Sequence, residues 1–229
     1  MRRWWADTIG EGPGAWRRFA LRFAVLQVGL ALFALGLALG YRAGLGLNSW
    51  GIFQAALTRY VPLTFGQMSI AIGAAMIVVS WFSGIRPGIG TVCNMLLVGV
   101  WFDVFAALLP QMTDLLTGVP MMLLGVLVLG WASGVYIKAG LGAGPRDSFM
   151  LAIMRRTGWR VGAARGAIEG TVFALGVLMD RSQVGLGTIA FTFAIGPVVE
   201  WAFRVLRVAP NGKPAAISDP QPALNTQDV

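Results

Sequence analysis

Six stretches of this chain are apolar over enough length to cross a lipid bilayer: residues 19–40, 61–82, 88–109, 119–138, 162–179 and 185–208. A hydrocarbon core about 30 Å thick needs roughly 17–25 helical residues. Composition points the same way. Of the 229 residues 56% are hydrophobic and 12% charged, with mean hydropathy +0.70, whereas soluble domains carry about 25% charge. A small soluble domain leaves too much surface wet to hide this apolar share. The fold class expected is therefore all-α, a polytopic membrane protein with six transmembrane helices. Residues 48–60 and 145–156 are also apolar but too short to span, and they read as re-entrant or interfacial helices.

The cations sort by side. With the N-terminus in the cytoplasm, Arg2, Arg3, Arg17, Arg18, Arg22, Arg86, Lys138, Arg146, Arg155, Arg156, Arg160, Arg165, Arg204, Arg207 and Lys213 fall on the inner face, 15 of the 18 Lys and Arg. Only Arg42, Arg59 and Arg181 remain for the other face. Cytoplasmic loops carry that excess, so both termini of this multi-pass membrane protein are expected inside. Residues 1–18 form a cytoplasmic tail, and 209–229, rich in Pro, Ala, Asn and Asp, a disordered one. The net charge of +8 follows from topology and attraction to membrane lipids; no motif suggests nucleic acid as a partner.

The chain is built twice. Ala43-Gly44-Leu45-Gly46 recurs as Ala139-Gly140-Leu141-Gly142, and Gly88-Ile89-Gly90-Thr91 as Gly185-Leu186-Gly187-Thr188, at offsets of 96 and 97 residues. Gly66 aligns with Gly162, Gly99 with Gly196 and Asp103 with Glu200. Repeat 1 covers residues 19–109 and repeat 2 residues 119–208, each unit being span, short helix, span, span. Three crossings per unit is odd, so the second copy enters from the opposite face. Two inverted three-helix repeats result, an arrangement common among transporters.

Glycine has two roles in this reading. The spacings Gly36-Gly40-Gly44, Gly130-Gly134 and Gly162-Gly166-Gly170 suit close helix packing in lipid, within a chain or between copies as a homo-oligomer. The paired motif glycines Gly44, Gly46, Gly88, Gly90, Gly140, Gly142, Gly185 and Gly187 instead stand at span ends. There Gly permits positive φ and close approach of a ligand or another backbone.

The chemistry on offer is limited. With no His and a single Cys93, His- or Cys-based metal sites, triads and disulfides are excluded. No cofactor and no enzymatic activity is expected. Charges at membrane depth are the functional candidates. Arg165 and Glu169 stand four apart and can pair, as can Glu200 and Arg204. Asp103 has no cation three or four residues away on its own helix. It either binds a proton or cation in alternation with Glu200, or pairs across helices with Arg42 or Arg59. The second short helix opens Gly144-Pro145-Arg146-Asp147, with Pro at the first helical position and an acid in the first turn. In the first copy Asn48 stands at the aligned cap position. Helix N-termini pointing into a cavity would form an anion site, to which Arg146 adds a charge.

The motifs resemble the YczE-like family of bacterial integral membrane proteins, in the wider YczE/YitT grouping. The similarity is carried by Arg86-Pro87-Gly88-Ile89-Gly90-Thr91 with Asn94 and Asp103. In the second half it is carried by residues 140–147, Arg165 with Glu169, and Gly185–Thr188 through Ile195-Gly196-Pro197. It covers residues 19–208 and implies a bacterial plasma-membrane protein of a kind usually described only as a candidate permease. One departure concerns the first short helix, where the family tends to carry Pro-Trp-Asp and this chain has Ser49-Trp50-Gly51. The acid is missing at Gly51 and present at its counterpart Asp147. The expected function is a small-solute transporter with its site between the repeats. The alternative is a non-catalytic membrane partner or assembly protein. Candidate binding residues are Asn48, Asn94, Asp103, Arg146, Asp147, Arg165, Glu169 and Glu200, with Trp101 as a further lining residue.

Overall fold

The computed structural model describes residues 14–63, 65–82, 88–182 and 184–208. Most of the N-terminal tail, Arg86-Pro87 and the C-terminal tail 209–229 lie outside the described residues. Among the described residues eight helices follow in order: α1 (Ala15–Arg42), α2 (Ser49–Leu57), α3 (Phe65–Phe82), α4 (Ile89–Leu108), α5 (Leu115–Lys138), α6 (Pro145–Thr157), α7 (Val161–Met179) and α8 (Leu186–Leu206). No strand is present among the described residues. The protein is all-helical, and five helices, α1, α4, α5, α7 and α8, are long and apolar enough to cross a membrane. α3 differs from the expected span at 61–82. Its start is delayed to Phe65 by the turn around Pro62, since the residue before a proline is disfavoured in helical geometry. Its 18 residues reach about 27 Å, just short of a bilayer core.

α1 and α5 form the centre. A Cβ on Gly29 would come within 2.6 Å of Tyr136 Cβ, and one on Gly36 within 2.7 Å of the Leu129 nitrogen. Only glycine lets these two backbones approach so closely. α4 packs on α1 and α8 on α5, while α2 lies against α7 and α6 against α3. Leu26, Leu30, Phe33, Val126, Leu129 and Tyr136 fill the interior. Outside, Leu116, Leu178 and Phe193 are exposed, as in proteins whose surroundings are lipid.

The two short helices are not amphipathic surface elements. Ile52 and Ala56 of α2 and Met150, Leu151 and Ala152 of α6 are buried among the long helices. The loops that deliver them need left-handed glycines: Gly44 and Gly46 have φ of +70° and +110°, Gly140 and Gly142 +67° and +117°. Each loop is then clamped by the start of a helix from the other half. Gly187 N–H donates to Leu45 C=O (2.9 Å) and the Thr188 hydroxyl to Leu47 C=O (2.6 Å). In the same way Gly90 N–H donates to Leu141 C=O (2.7 Å) and the Thr91 hydroxyl to Ala143 C=O (2.7 Å).

Asp114 caps α5, accepting from the Thr117 N–H (2.9 Å) and hydroxyl (2.7 Å). The Thr117 hydroxyl first, and its N–H second, hold the Asp114 carboxyl below its ordinary value of 3.8. A depressed carboxyl contributes stability that is present above its unfolded value and lost as pH falls through the folded one. Asp114→Ala is therefore expected to lower the melting temperature at pH 7. The gap to the native chain should close as the pH drops below about 4; a gap that stays constant down to pH 2 would remove the capping account.

Candidate functional site

A cavity of about 560 Å³ lies where α1, α3 and α4 face the N-termini of α2 and α6. Binding pockets for small molecules are typically about 300–1,000 Å³. Phe33, Ile72, Met76, Met95 and Phe191 give it apolar walls, and Asn48, Gln54, Asn94, Asp103, Arg146 and Asp147 its polar groups.

The sequence places the short helices by their first residues. Asn48 caps α2, its side chain accepting from Gly51 N–H at 2.8 Å. α6 starts with Pro145 at the first helical position, and its N-cap, Gly144, has no side chain to offer. The first-turn N–H groups of α6 thus have no side-chain cap. The Asn94 side chain stands directly against Gly144, where an added Cβ would come within 2.7 Å of it. The Arg146 guanidinium lies 4.6 Å from the centre of the Trp50 ring, a cation–π geometry. Trp50 and Arg146 are sequence counterparts at the offset of 96, so the two short-helix starts meet here.

Beneath this surface is a closed polar cluster. Arg165 Nη1 donates to Asp147 Oδ1 at 2.5 Å, and the Tyr136 hydroxyl donates to Asp147 Oδ2 while accepting from Gly144 N–H at 3.1 Å. Arg165 Nε lies 3.3 Å from Glu169 Oε1, in ion-pair range but at an angle that makes no hydrogen bond. The Trp50 indole N–H donates to that same Glu169 oxygen at 3.1 Å. Asp147, Arg165 and Glu169 are at most 2% exposed. Both oxygens of Asp147 are engaged, and Glu169 Oε2 has no hydrogen-bond partner. Charges so deep persist only when paired.

The expected site residues thus separate into three groups. Asn48, Asn94, Asp103, Arg146 and Asp147 line the cavity. Arg165 and Glu169 pair as their spacing predicts, yet they support Asp147 from beneath instead of closing a helix end. Glu200 stands apart, at an open site with Arg160 (2.6 Å) and Arg204 (2.7 Å). Neither cross-helix partner weighed for Asp103 reaches it. Arg42 donates to Ala106 C=O at 2.7 Å and Arg59 pairs with Asp180 at 3.0 Å. Trp101 is not among the lining residues; it stacks on Phe105 with centroids 5.8 Å apart.

The motif glycines serve the backbone clamps described above, with Gly46 and Gly187 also at the cavity edge. Sequence reasoning missed Tyr136, Trp50 and Gln54. A lone tyrosine in the apolar α5 and a lone glutamine in the apolar α2 were the available signals.

Comparison with known proteins agrees in kind. Residues 20–204 match the model of a family described as a family of unknown function, DUF6198. The uncharacterized membrane protein YczE of Bacillus subtilis is 36% identical over 188 residues, covering 81% of this chain and 87% of that protein. An uncharacterized protein of Haemophilus influenzae is 28% identical over 207 residues, 90% of this chain and 92% of its own. No solved structure matches. With an all-helical fold of long apolar helices and a family match over most of its length, the chain belongs to this YczE-like family of membrane proteins.

Proposed function

We propose that the protein is a small-solute transporter of the bacterial plasma membrane, with both termini cytoplasmic and its site between two inverted repeats, α1–α4 and α5–α8. The observation that carries this reading is the cavity at which the first turns of both short helices meet. Half-helices starting at the centre of the fold between repeats are the usual transporter site. The paired clamps, Leu45 with Gly187 and Leu141 with Gly90, support a pseudo-twofold relation of the halves. α3 serves as the sixth span.

The halves also differ in a way that suits alternating access. Gly196 of α8 sits against α7, where a Cβ would come within 2.8 Å of Gly162 C=O and 3.4 Å of Gly166 N. Its counterpart Gly99 on α4 has nothing within 4 Å and lines the cavity. Closing α3 onto α4 as α7 closes on α8 would bring Ile70, the counterpart of Gly166, against Gly99.

Proteoliposomes carrying Ile70→Cys with Gly99→Cys, in a Cys93→Ser background, test both parts. The panel would be labelled hexanoate, phosphate, alanine and glucose. Flux of at least one solute is expected, blocked by oxidative cross-linking and restored by reductant. Absence of flux for the whole panel with folded protein, or flux indifferent to a formed cross-link, would overturn the reading.

A further inference from the structure

Several hydrogen-bond donors on the cavity wall have no acceptor in the protein. Arg146 forms no ion pair with any described residue, and its one close partner is the Trp50 ring face. Gln54 is 3% exposed and lines the cavity, yet its Nε2 has no hydrogen-bond partner. The Asn94 Nδ2, beside the α6 N-cap, is likewise unpartnered. The first turn of the 13-residue α6 has no side-chain cap. Buried donors without acceptors cost about 1–3 kcal/mol each, and Arg146 is half-buried on the cavity wall beside them. Such a set is retained where a ligand completes it.

The neighbouring acids make no ion pair with Arg146, although Glu169 keeps one oxygen, Oε2, without a hydrogen-bond partner. Both Asp147 oxygens are held, by Arg165 and Tyr136. Asp103 stands nine residues beyond Asn94 on α4, about 13 Å along the helix axis. Much of the remaining lining is apolar, including Phe33, Leu37, Ile72, Met76 and Met95.

Resting on the transporter reading of this same site, we infer that the cavity takes a small amphipathic organic anion. Its oxyanion head is held by the Arg146 guanidinium, the Asn94 and Gln54 amides and the α6 N-terminus, and its apolar body lies along α1 and α3. A carboxylate and a phosphonate share this head-group chemistry. Asp103 disfavours a second negative charge at the far end, so the ligand is a monoanion of modest length.

The test measures binding, apart from flux. Purified full-length protein in detergent is melted in the presence of hexanoate, hexylphosphonate, hexylamine or hexanol, compounds of equal chain length and different head charge. Hexanoate, hexylphosphonate or both are expected to raise the melting temperature saturably, the larger shift naming the head group. Hexylamine and hexanol should leave it unmoved. Arg146→Gln is expected to weaken the anion effect at least about tenfold, the loss of about 1.4 kcal/mol, and Gln54→Leu to weaken it less. Arg156→Gln, a cation at the far end of α6, should keep it.

Equal shifts for hexanol and hexanoate, a shift for hexylamine alone, or anion shifts untouched by Arg146→Gln would overturn the inference. Anion binding without flux leaves this site standing and sinks the transporter reading. Flux confined to neutral or cationic solutes does the reverse.

Discussion

Replacing Arg165 by Met is expected to lower the stability of the protein by about 3–5 kcal/mol, the range for removing one partner of a buried ion pair. Arg165 is 2% exposed and is the only cation within ion-pair distance of Asp147 or Glu169 among the described residues. Its removal leaves two almost fully buried carboxylates with only the Tyr136 hydroxyl and the Trp50 indole N–H as side-chain donors. The α6 N-terminus would also lose its tether to α7.

Chemical unfolding in detergent at pH 7 gives the measurement, and a cycle with Asp147→Asn separates causes. If the Arg165–Asp147 contact dominates, Arg165→Met should cost much less in the Asp147→Asn background than in the native chain. Additive effects, or a loss below about 1 kcal/mol, would mean that the cluster is not what secures α6.

Arg165 and Glu169 advertise themselves, because residues four apart on a helix share a face whatever else the chain does. Asp147 lies 18 residues before Arg165 and on another helix, so nothing local connects them. Tyr136 and Trp50 reach the cluster from α5 and α2, and such meetings exist only once helices pack. The same division holds for the fold. Pro145, Asn48 and the Gly-Leu-Gly loops act on their own neighbours, and they locate the helix starts within a residue or two. The partners of those loops do not follow from spacing. The glycine motifs recur in pairs, yet the pairing gives no sign that a loop in one half is bound by a helix start in the other. Asp103 and Glu200, equivalent by alignment, end in unlike places for a further reason. Glu200 has Arg204 four residues on and Arg160 nearby, while the positions around Asp103 offer no such cation.

The clamps lead to an expectation of comparable size. Gly185 and Gly88 each begin a helix with extended φ, −138° and −101°, which alanine can adopt, so backbone strain is not the obstacle. Space is. A Cβ on Gly185 would collide with Leu45 C=O, and one on Gly88 with Leu141 C=O. Both carbonyls are backbone atoms already fixed by bonds to Gly187 and Gly90, and they cannot turn aside as a side chain would.

Gly185→Ala is therefore expected to cost roughly 3 kcal/mol or more, towards the severe end of overpacking effects. It should also displace the loop that delivers α2. Gly88→Ala should do the same to the loop that delivers α6. Gly170→Ala is the control, since nothing lies within 4 Å of its Cβ position on α7. There alanine should be neutral or stabilising by about 0.5–1 kcal/mol, the helix-interior preference over glycine. Melting of the three variants side by side decides the matter. If Gly185→Ala and Gly170→Ala melt alike, the doubled motifs are not interlocks, and their recurrence needs another physical cause.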